Sequence, residues 1–271
     1  MSDSQHSHLI RRVSVGDTHF VLLGTAHVSP ESIADVRREI DRGAYDAIAV
    51  ELCDARHKQL TDPKALEQLD LFEVIRSGKA GMVAASLALG AYQQRLAEQF
   101  DIRPGAELEA AARAAKRLNK PLWLIDRDIG TTLKRVYRNA PWWQRFSLLS
   151  GLLGSVLSRQ KVTGADIERL KQGDMLESTF NEFARGSASL YNSLITERDR
   201  FMAARLLEEL TQASSPPTEV LVVVGAGHLE GLAAALADGI ADPHGEREAL
   251  EQVPAPARWP KLIPWAVVAV V

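Results

Sequence analysis

The sequence has very little cysteine, and this scarcity limits the chemistry available to the protein. Cys53 is the only cysteine among 271 residues, which excludes an internal disulfide and favours a reducing compartment. No cysteine-based zinc pattern, P-loop, H-E-x-x-H or G-x-S-x-G motif occurs, so none of the corresponding sites is predicted. The net charge is −3 and the basic residues are scattered, which argues against nucleic-acid binding.

Long apolar runs are also rare, and the one at the C-terminus is shorter than the roughly 20 residues that cross a bilayer. The leader over residues 1–15 is polar, which predicts disorder and gives no cleavable signal. Residues 261–271 are mostly apolar, and Trp259, Lys261 and Trp265 are residue types found at membrane interfaces. This ending predicts either an edge strand or, as we favour, the start of a membrane region at which the chain is cut.

Short apolar runs alternate with helical patterns along the rest of the chain. The runs, typical of strands covered on both faces, are His19–Gly24, Asp46–Cys53, Pro121–Asp126 and Val220–Gly225. The helical patterns are Pro30–Gly43, Glu107–Lys120 and Leu190–Ala213. This order predicts an α/β fold over residues 16–260, with a central, mostly parallel sheet flanked by helices. Helical insertions near 64–100 and 136–183 carry apolar patches, which favour core or homodimer packing over membrane contact.

Polar residues follow each predicted strand at its C-terminal end. The pattern Gly-x-x-His occurs there twice, at Gly24–His27 and at Gly225–His228. Because ligands bind beyond the carboxyl ends of parallel strands, the residues at these ends are expected to line one pocket. They are Gly24, His27, Glu51, Arg56, Asp126, Arg127, Asp128, Gly225 and His228.

Two imidazoles and a carboxylate are a common ligand set for a divalent transition metal. His27, His228 and Glu51 suit zinc, manganese, cobalt or ferrous iron and leave positions open for water. Water on such a metal has a lowered pKa and becomes a nucleophile near neutral pH, with Glu51 as a ligand or as the general base. Arginines would clamp substrate, and aspartates would orient them; the candidates are Arg56, Arg127, Arg198, Asp126, Asp128 and Asp199.

Most of these candidates also have a purely structural interpretation. His27 and His228 would be helix caps or hydrogen-bonded core residues, and Glu51 would form an ion pair with Arg56. The matched surroundings of the two histidines favour the functional interpretation.

Helical positions are less distinctive. Glu107 is a further site candidate, but near the start of its helix it would equally complement the helix dipole. The run Thr196–Arg200, which contains Arg198 and Asp199, lies inside a predicted helix, where charged runs are usually solvated faces.

Five segments in the same order resemble the TraB family, which includes bacterial pheromone-shutdown proteins. They read LLGTAHVSPESIADVRREID, YDAIAVELCDARHKQL, LIDRDIGTTLKR, TERDRFMAARL and VVVGAGHLEGL, and they span Phe20–Leu232. The family is similar in turn to the Tiki metalloproteases and to the erythromycin-esterase-like superfamily.

The resemblance implies a Tiki/TraB α/β domain, facing the cytoplasm, followed by C-terminal membrane helices. In the Tiki relatives, the two Gly-x-x-His motifs and a strand-end glutamate are associated with peptide cleavage that depends on manganese or cobalt. By position these residues are His27, His228 and Glu51. TraB members are proposed to sequester or inactivate peptide pheromones. The expectation is therefore a membrane-tethered, metal-dependent peptidase, and the alternative is a module that binds a peptide or small molecule without turnover. A third possibility is a structural membrane protein with a vestigial pocket, which an arginine–carboxylate network filling the cavity would favour.

Overall fold

A five-stranded, mostly parallel sheet forms the centre of the protein in a computed structural model that describes residues 9–25, 30–61, 105–139 and 191–254. The strands are β1 (Ile10–Val15), β2 (Thr18–Thr25), β3 (Ala47–Val50), β4 (Leu122–Leu124) and β5 (Glu219–Gly225). Their order across the sheet is β1-β2-β5-β3-β4, and only the β1–β2 pair is antiparallel. The predicted α/β fold is thereby confirmed.

Seven α-helices lie in the described parts of the chain. They are α1 (Pro30–Arg42), α2 (Asp54–Thr61), α3 (Ala106–Arg117), α4 (Ile129–Asn139), α5 (Glu197–Gln212), α6 (Leu229–Asp238) and α7 (Pro243–Glu251). A π-helical segment, Asn192–Thr196, leads into α5, and a 3-10 turn, Ala226–His228, joins β5 to α6. The predicted helix over Leu190–Ala213 therefore contains a change of helix type that apolar periodicity does not reveal.

β5 is the central strand of the sheet and is buried because helices cover both faces. Residues 220–224 have no exposed surface. One face packs against α5 and α6, with Met202 and Leu232 in the core, and the other packs against α1 and α3, with Val36 and Leu108. This double burial explains why β5 reads as a continuous apolar run in the sequence.

β1 corrects the expectation of a disordered leader, because residues 10–15 form an edge strand. A two-residue turn at Gly16 and Asp17 joins β1 to β2, and Gly16 has a φ of 58°. Glycine at the first position of such a turn is a known hairpin signal. Val13 and Val15 pack against the core, which gives the strand its burial energy.

A buried carboxylate docks α7 onto α5. Glu208 accepts hydrogen bonds from Nδ1 of His244 at 2.8 Å and from Nε of Arg247 at 2.8 Å. Arg205 on the same helix adds an ion pair at 3.2 Å. Burial raises the pKa of Glu208, but the bonds from Arg247 and His244 outweigh it and hold this pKa below its usual range.

Some sequence predictions lie outside the described residues. They concern the insertion near 64–100, most of the insertion near 136–183, and the C-terminal segment 261–271; residues 136–139 complete α4. Of the helices within the described ranges, none is both long and apolar enough to span a membrane.

Candidate functional site

The carboxyl ends of the four parallel strands lie at one edge of the sheet, as the sequence predicts. Glu51 directly follows β3, Asp126 follows β4 by two residues, and His228 follows β5 by three. Helix α5 brings Arg198 and Asp199 from its first turn to the same edge, where they contact these residues. We call Glu51, Asp126, Arg198, Asp199 and His228 the edge cluster.

Arg198 connects the members of the edge cluster. Its Nε donates to Oδ1 of Asp126 at 3.0 Å and its NH2 donates to Oδ2 of the same carboxylate at 2.8 Å, which makes a two-pronged ion pair. NH2 also donates to Oε1 of Glu51. NH1 lies 2.9 Å from Nε2 of His228. The structure therefore gives Glu51 a partner in Arg198, on a helix far along the chain.

The contacts of His228 define its tautomer. A guanidinium has no acceptor, so Nε2 of His228 must accept from Arg198 and carries no proton. The ring proton is then on Nδ1, which donates to Oδ1 of Asp199 at 2.6 Å. This carboxylate–histidine arrangement orients ring nitrogens in metal sites. Oε1 of Glu51 lies 3.5 Å from the same Nε2.

Negative groups outnumber positive ones in the edge cluster. The cluster has three carboxyl groups and one guanidinium: Glu51 and Asp126 contact Arg198, and Asp199 contacts His228. Glu51 also accepts a hydrogen bond from the backbone N–H of Gly225 at 2.7 Å. Burial lowers the pKa of Arg198, but Asp126 and Glu51 together hold it above its usual range. Burial raises the pKa of Asp199, against the hydrogen bond from His228. The arrangement is suited to hold additional positive charge.

Two glycines allow the chain segments to approach each other here. A side chain at Gly24 would meet Leu229 at 3.2 Å and the backbone of Ala226 at 3.3 Å, so β2 packs closely on the turn that carries His228. A methyl group at Gly231, in the first turn of α6, would collide with the carboxylate of Asp199. Sequence reasoning missed Gly231, although a glycine inside a helix is itself a signal of close packing.

Gly231→Ala is therefore expected to lower the free energy of unfolding by about 1–3 kcal/mol, the usual cost of overpacking. Alanine is the better helix former by about 1 kcal/mol, but here the added methyl displaces Asp199 from His228. Urea denaturation measures the change. Gly227→Ala is the matched control, because a methyl group there meets open space. A Gly231→Ala protein as stable as the wild type would contradict this packing.

Arg127 has a different set of partners from the edge cluster. Its side chain is buried and donates to Oγ1 of Thr132 at 3.1 Å, to Oε2 of Glu197 at 3.3 Å and to the carbonyl oxygen of Leu250 at 2.8 Å. Burial lowers the pKa of Arg127, and Glu197 partly offsets this effect. Arg135 also pairs with Glu197, at 2.6 Å. This network ties α4, α5 and α7 together.

The remaining candidates occupy varied positions. Asp128 is exposed and caps α4, since its Oδ1 accepts from the N–H of Thr131 at 3.2 Å. Arg56 is on α2, with its guanidinium near Gly105. Glu107 is buried in the first turn of α3, where a carboxylate complements the helix dipole. Burial raises the pKa of the Cys53 thiol, which disfavours a thiolate.

His27 lies outside the described residues, so its predicted approach to His228 stays a prediction. β2 is described as far as Thr25, two residues before it. Within the described ranges, no group of three or more histidine, cysteine, aspartate or glutamate side chains has the spacing of a metal site. Of the predicted ligand atoms that the structure describes, Nε2 of His228 lies 3.5 Å from Oε1 of Glu51.

A recess of about 700 Å³ lies at the opposite, amino-terminal edge of the sheet. It is lined in part by Asp46, Trp123 and Pro217. Asp46 already accepts hydrogen bonds from the backbone N–H groups of Thr218 and Glu219, so it serves the chain itself. The candidate site is therefore the carboxyl edge, where the titratable groups of the edge cluster converge.

Comparison with known proteins gives consistent matches. The sequence pattern of the TraB/PrgY/gumN family matches residues 9–238. An uncharacterized protein of Methanocaldococcus jannaschii is 34% identical over 226 residues, which cover 80% of this chain and 53% of the relative. TraB domain-containing proteins of Bos taurus and Homo sapiens are 31% and 30% identical over 234 residues, which cover 78% of this chain. The matched regions cover 60% and 61% of those two relatives, so the chain spans little more than half the length of its relatives.

Proposed function

The chain belongs to the TraB/PrgY/gumN family, and on that premise we propose that it is a metal-dependent hydrolase that acts on peptides. The observation that carries the proposal is the pairing of His228 and Glu51 at the carboxyl edge of the sheet. Nε2 of His228 carries no proton in the tautomer described above, and this nitrogen lies 3.5 Å from a carboxylate oxygen of Glu51. Both atoms are of the kind that bind divalent transition metals.

The separation of these two atoms fits a shared ion. Metal bonds of about 2.1 Å at a tetrahedral angle place neighbouring ligand atoms about 3.4 Å apart. Asp199 supports this use of His228, because it fixes the ring through Nδ1 and so directs Nε2, which here accepts from Arg198, toward Glu51. We propose His27 as the third ligand, so that the ion would be held by His27, His228 and Glu51.

A divalent cation in this place would supply Lewis acidity and lower the pKa of a water molecule. The chain's own residues would do the rest. Glu51 would either help to hold the ion or serve as the general base that accepts a proton from the attacking water. Arg198 stays on Asp126 and points its remaining N–H groups at the oxygen of the scissile carbonyl, where negative charge develops. We retain Arg56, Glu107 and Asp128 as groups that would contact substrate.

The peptide substrate and the membrane tether are parts of the same proposal. Both rest on the family resemblance. It implies that membrane helices follow the α/β domain and that the protein sequesters or inactivates peptides such as pheromones. The apolar composition of residues 261–271 agrees with such a tether, and we propose that the α/β domain faces the cytoplasm. We also propose that the protein forms a homodimer through the apolar patches of the insertions near 64–100 and 136–183.

One observation favours a second candidate, a module that binds a peptide or small molecule without turnover. Arg198 already gives positive charge to Glu51 and to Asp126, and it donates to His228. Because the guanidinium of Arg198 already compensates these carboxylates, they do not require a metal ion for charge balance. In this alternative, the edge cluster would recognise a ligand through Arg198 alone.

Metal analysis and a digest separate the two candidates. Protein purified without added metal is analysed for bound manganese, cobalt, zinc and iron, and then incubated with a peptide library with and without manganese or cobalt. The hydrolase predicts bound metal, and cleavage that a chelator stops and metal restores. Glu51→Gln should lower cleavage at least about tenfold, since it removes a charged ligand or base. Glu109→Gln is the control, because Glu109 pairs with Arg113 on α3. Metal-free protein that binds peptide and leaves it intact would favour the binding module instead.

A further inference from the structure

The position of Arg198 bears on how the edge cluster would take up an ion. We infer that Arg198 is an internal competitor for the metal, which closes the His228–Glu51 pair until a divalent cation displaces its guanidinium from both. Asp126 is the residue that keeps Arg198 in the site after displacement. The inference rests on the proposed metal-dependent function and adds to it a positioning role for Arg198 and Asp126.

Nε2 of His228 cannot accept from Arg198 and bind a metal at the same time, because it has one lone pair. In the tautomer fixed by Asp199, Nε2 of His228 has one lone pair, and this lone pair accepts from NH1 of Arg198 at 2.9 Å. The same lone pair would have to bind the metal. NH2 of Arg198 likewise contacts Oε1, the Glu51 oxygen nearest to the ring. A metal on this pair therefore requires Arg198 to give up its bond to His228 and to move away from Glu51.

Asp126 is a counter-ion that Arg198 can keep when its guanidinium is displaced from His228 and Glu51. Nε and NH2 of Arg198 bond its two oxygens at 3.0 and 2.8 Å, in a geometry that does not involve His228. The backbone N–H of Arg127 also donates to Asp126, at 2.7 Å, and fixes that carboxylate. Because a guanidinium is rigid, a shift away from His228 and Glu51 must also change its two bonds to Asp126, but Asp126 can remain its counter-ion, so displacement does not leave the charge of Arg198 unpaired.

Exposure and charge agree with entry of a cation from the side of Arg198. The Arg198 side chain is 16% exposed, whereas that of Glu51 is 3% exposed and that of His228 is 6% exposed. Of these three side chains, Arg198 is therefore the one most exposed to solvent. Three carboxyl groups against one guanidinium leave negative charge to stabilise the incoming ion.

Direct titration with Mn²⁺ tests the competition. Calorimetry or electron paramagnetic resonance would measure the Mn²⁺ affinity of the wild type, Arg198→Met and Arg198→Lys. Methionine has no donor, so Arg198→Met is expected to bind Mn²⁺ at least about tenfold more tightly. Lysine keeps the charge but lacks the two-pronged geometry, so the Mn²⁺ affinity of Arg198→Lys should lie between those of the wild type and of Arg198→Met. The matched control is Arg200→Met on the same helix, whose arginine pairs with Glu246 and should leave the affinity unchanged.

Two further measurements tie the effect to this pair. Adding His228→Ala to Arg198→Met should remove the gain in affinity, and free guanidinium ion should weaken Mn²⁺ binding to the Arg198→Met variant. Circular dichroism checks that each variant is folded; if Arg198→Met is not, Arg198→Lys carries the test.

The outcomes distinguish this inference from the proposed function. A wild type that binds Mn²⁺ and an Arg198 variant that binds no more tightly would overturn the inference and leave the function standing. A wild type without Mn²⁺ affinity and an Arg198→Met variant that gains it would support the competition but overturn the metal-dependent function. Failure of both proteins to bind would overturn both proposals.

Discussion

Replacement of His228 by alanine is expected to abolish metal retention and, with it, peptide hydrolysis. Loss of a group that only supports a ligand already costs about 10–100-fold in metal affinity, so loss of the ligand itself should cost more than about 100-fold. The variant also leaves Asp199 without the ring that it contacts at 2.6 Å. Elemental analysis of purified protein and Mn²⁺ titration measure the loss.

Two controls separate this effect from a general loss of structure. His244→Ala removes a histidine that pairs with Glu208 at the α5–α7 contact and should retain metal. His228→Gln keeps a polar side chain near Asp199 and should preserve folding, as judged by the midpoint of urea unfolding, while it still loses metal. Unchanged metal content in a folded His228→Ala protein would remove His228 from the ligand set.

The largest expected effect on stability comes from Arg127→Ala. The Arg127 side chain is 1% exposed and its donors bond α4, α5 and the last turn of α7. Removing one partner of a buried ion pair costs about 3–5 kcal/mol, because the other partners lose their compensation. We expect a decrease of this size in the free energy of unfolding, measured by urea denaturation.

Lys134→Ala is the control for Arg127→Ala, since Lys134 is exposed on α4 and its loss should change stability by less than about 0.5 kcal/mol. The same pair of variants tests the other prediction for Arg127, a clamp on substrate. If Arg127 only connects helices, the folded variant keeps the wild-type Mn²⁺ affinity and KM. A loss of stability below about 1 kcal/mol together with a raised KM would assign Arg127 to the substrate instead.

The strand-end residues of the site were accessible to sequence reasoning because their positions follow from topology. Parallel strands with buried, apolar sequences bring their carboxyl ends to one edge, and Glu51, Asp126 and His228 lie there. The family resemblance pointed to the same glutamate and histidine. The fold class needed only the alternation of strands and helices.

The ion pairs of the site were less accessible because they depend on how helices are rotated against the sheet. The sequence offered Arg56 as the structural partner of Glu51, five residues away, whereas the structure gives it Arg198, 147 residues away. The segment Thr196–Arg200 has the composition of a solvated face, yet Glu197 and Asp199 are buried in it. Sequence periodicity does not distinguish a buried charged run from a solvated one, because partners on other elements compensate the buried charges.

Three consecutive residues of α5 contact three different parts of the molecule. Glu197 bonds Arg127 and Arg135, Arg198 bonds Asp126 and Glu51, and Asp199 bonds His228. Successive residues of an α-helix point about 100° apart, so these contacts surround the start of the helix on most of its circumference. Any turn of α5 about its own axis would strain all three sets simultaneously. A rotation of α5 would therefore alter the contacts of both nitrogens of the His228 ring, since Nε2 contacts Arg198 and Nδ1 contacts Asp199.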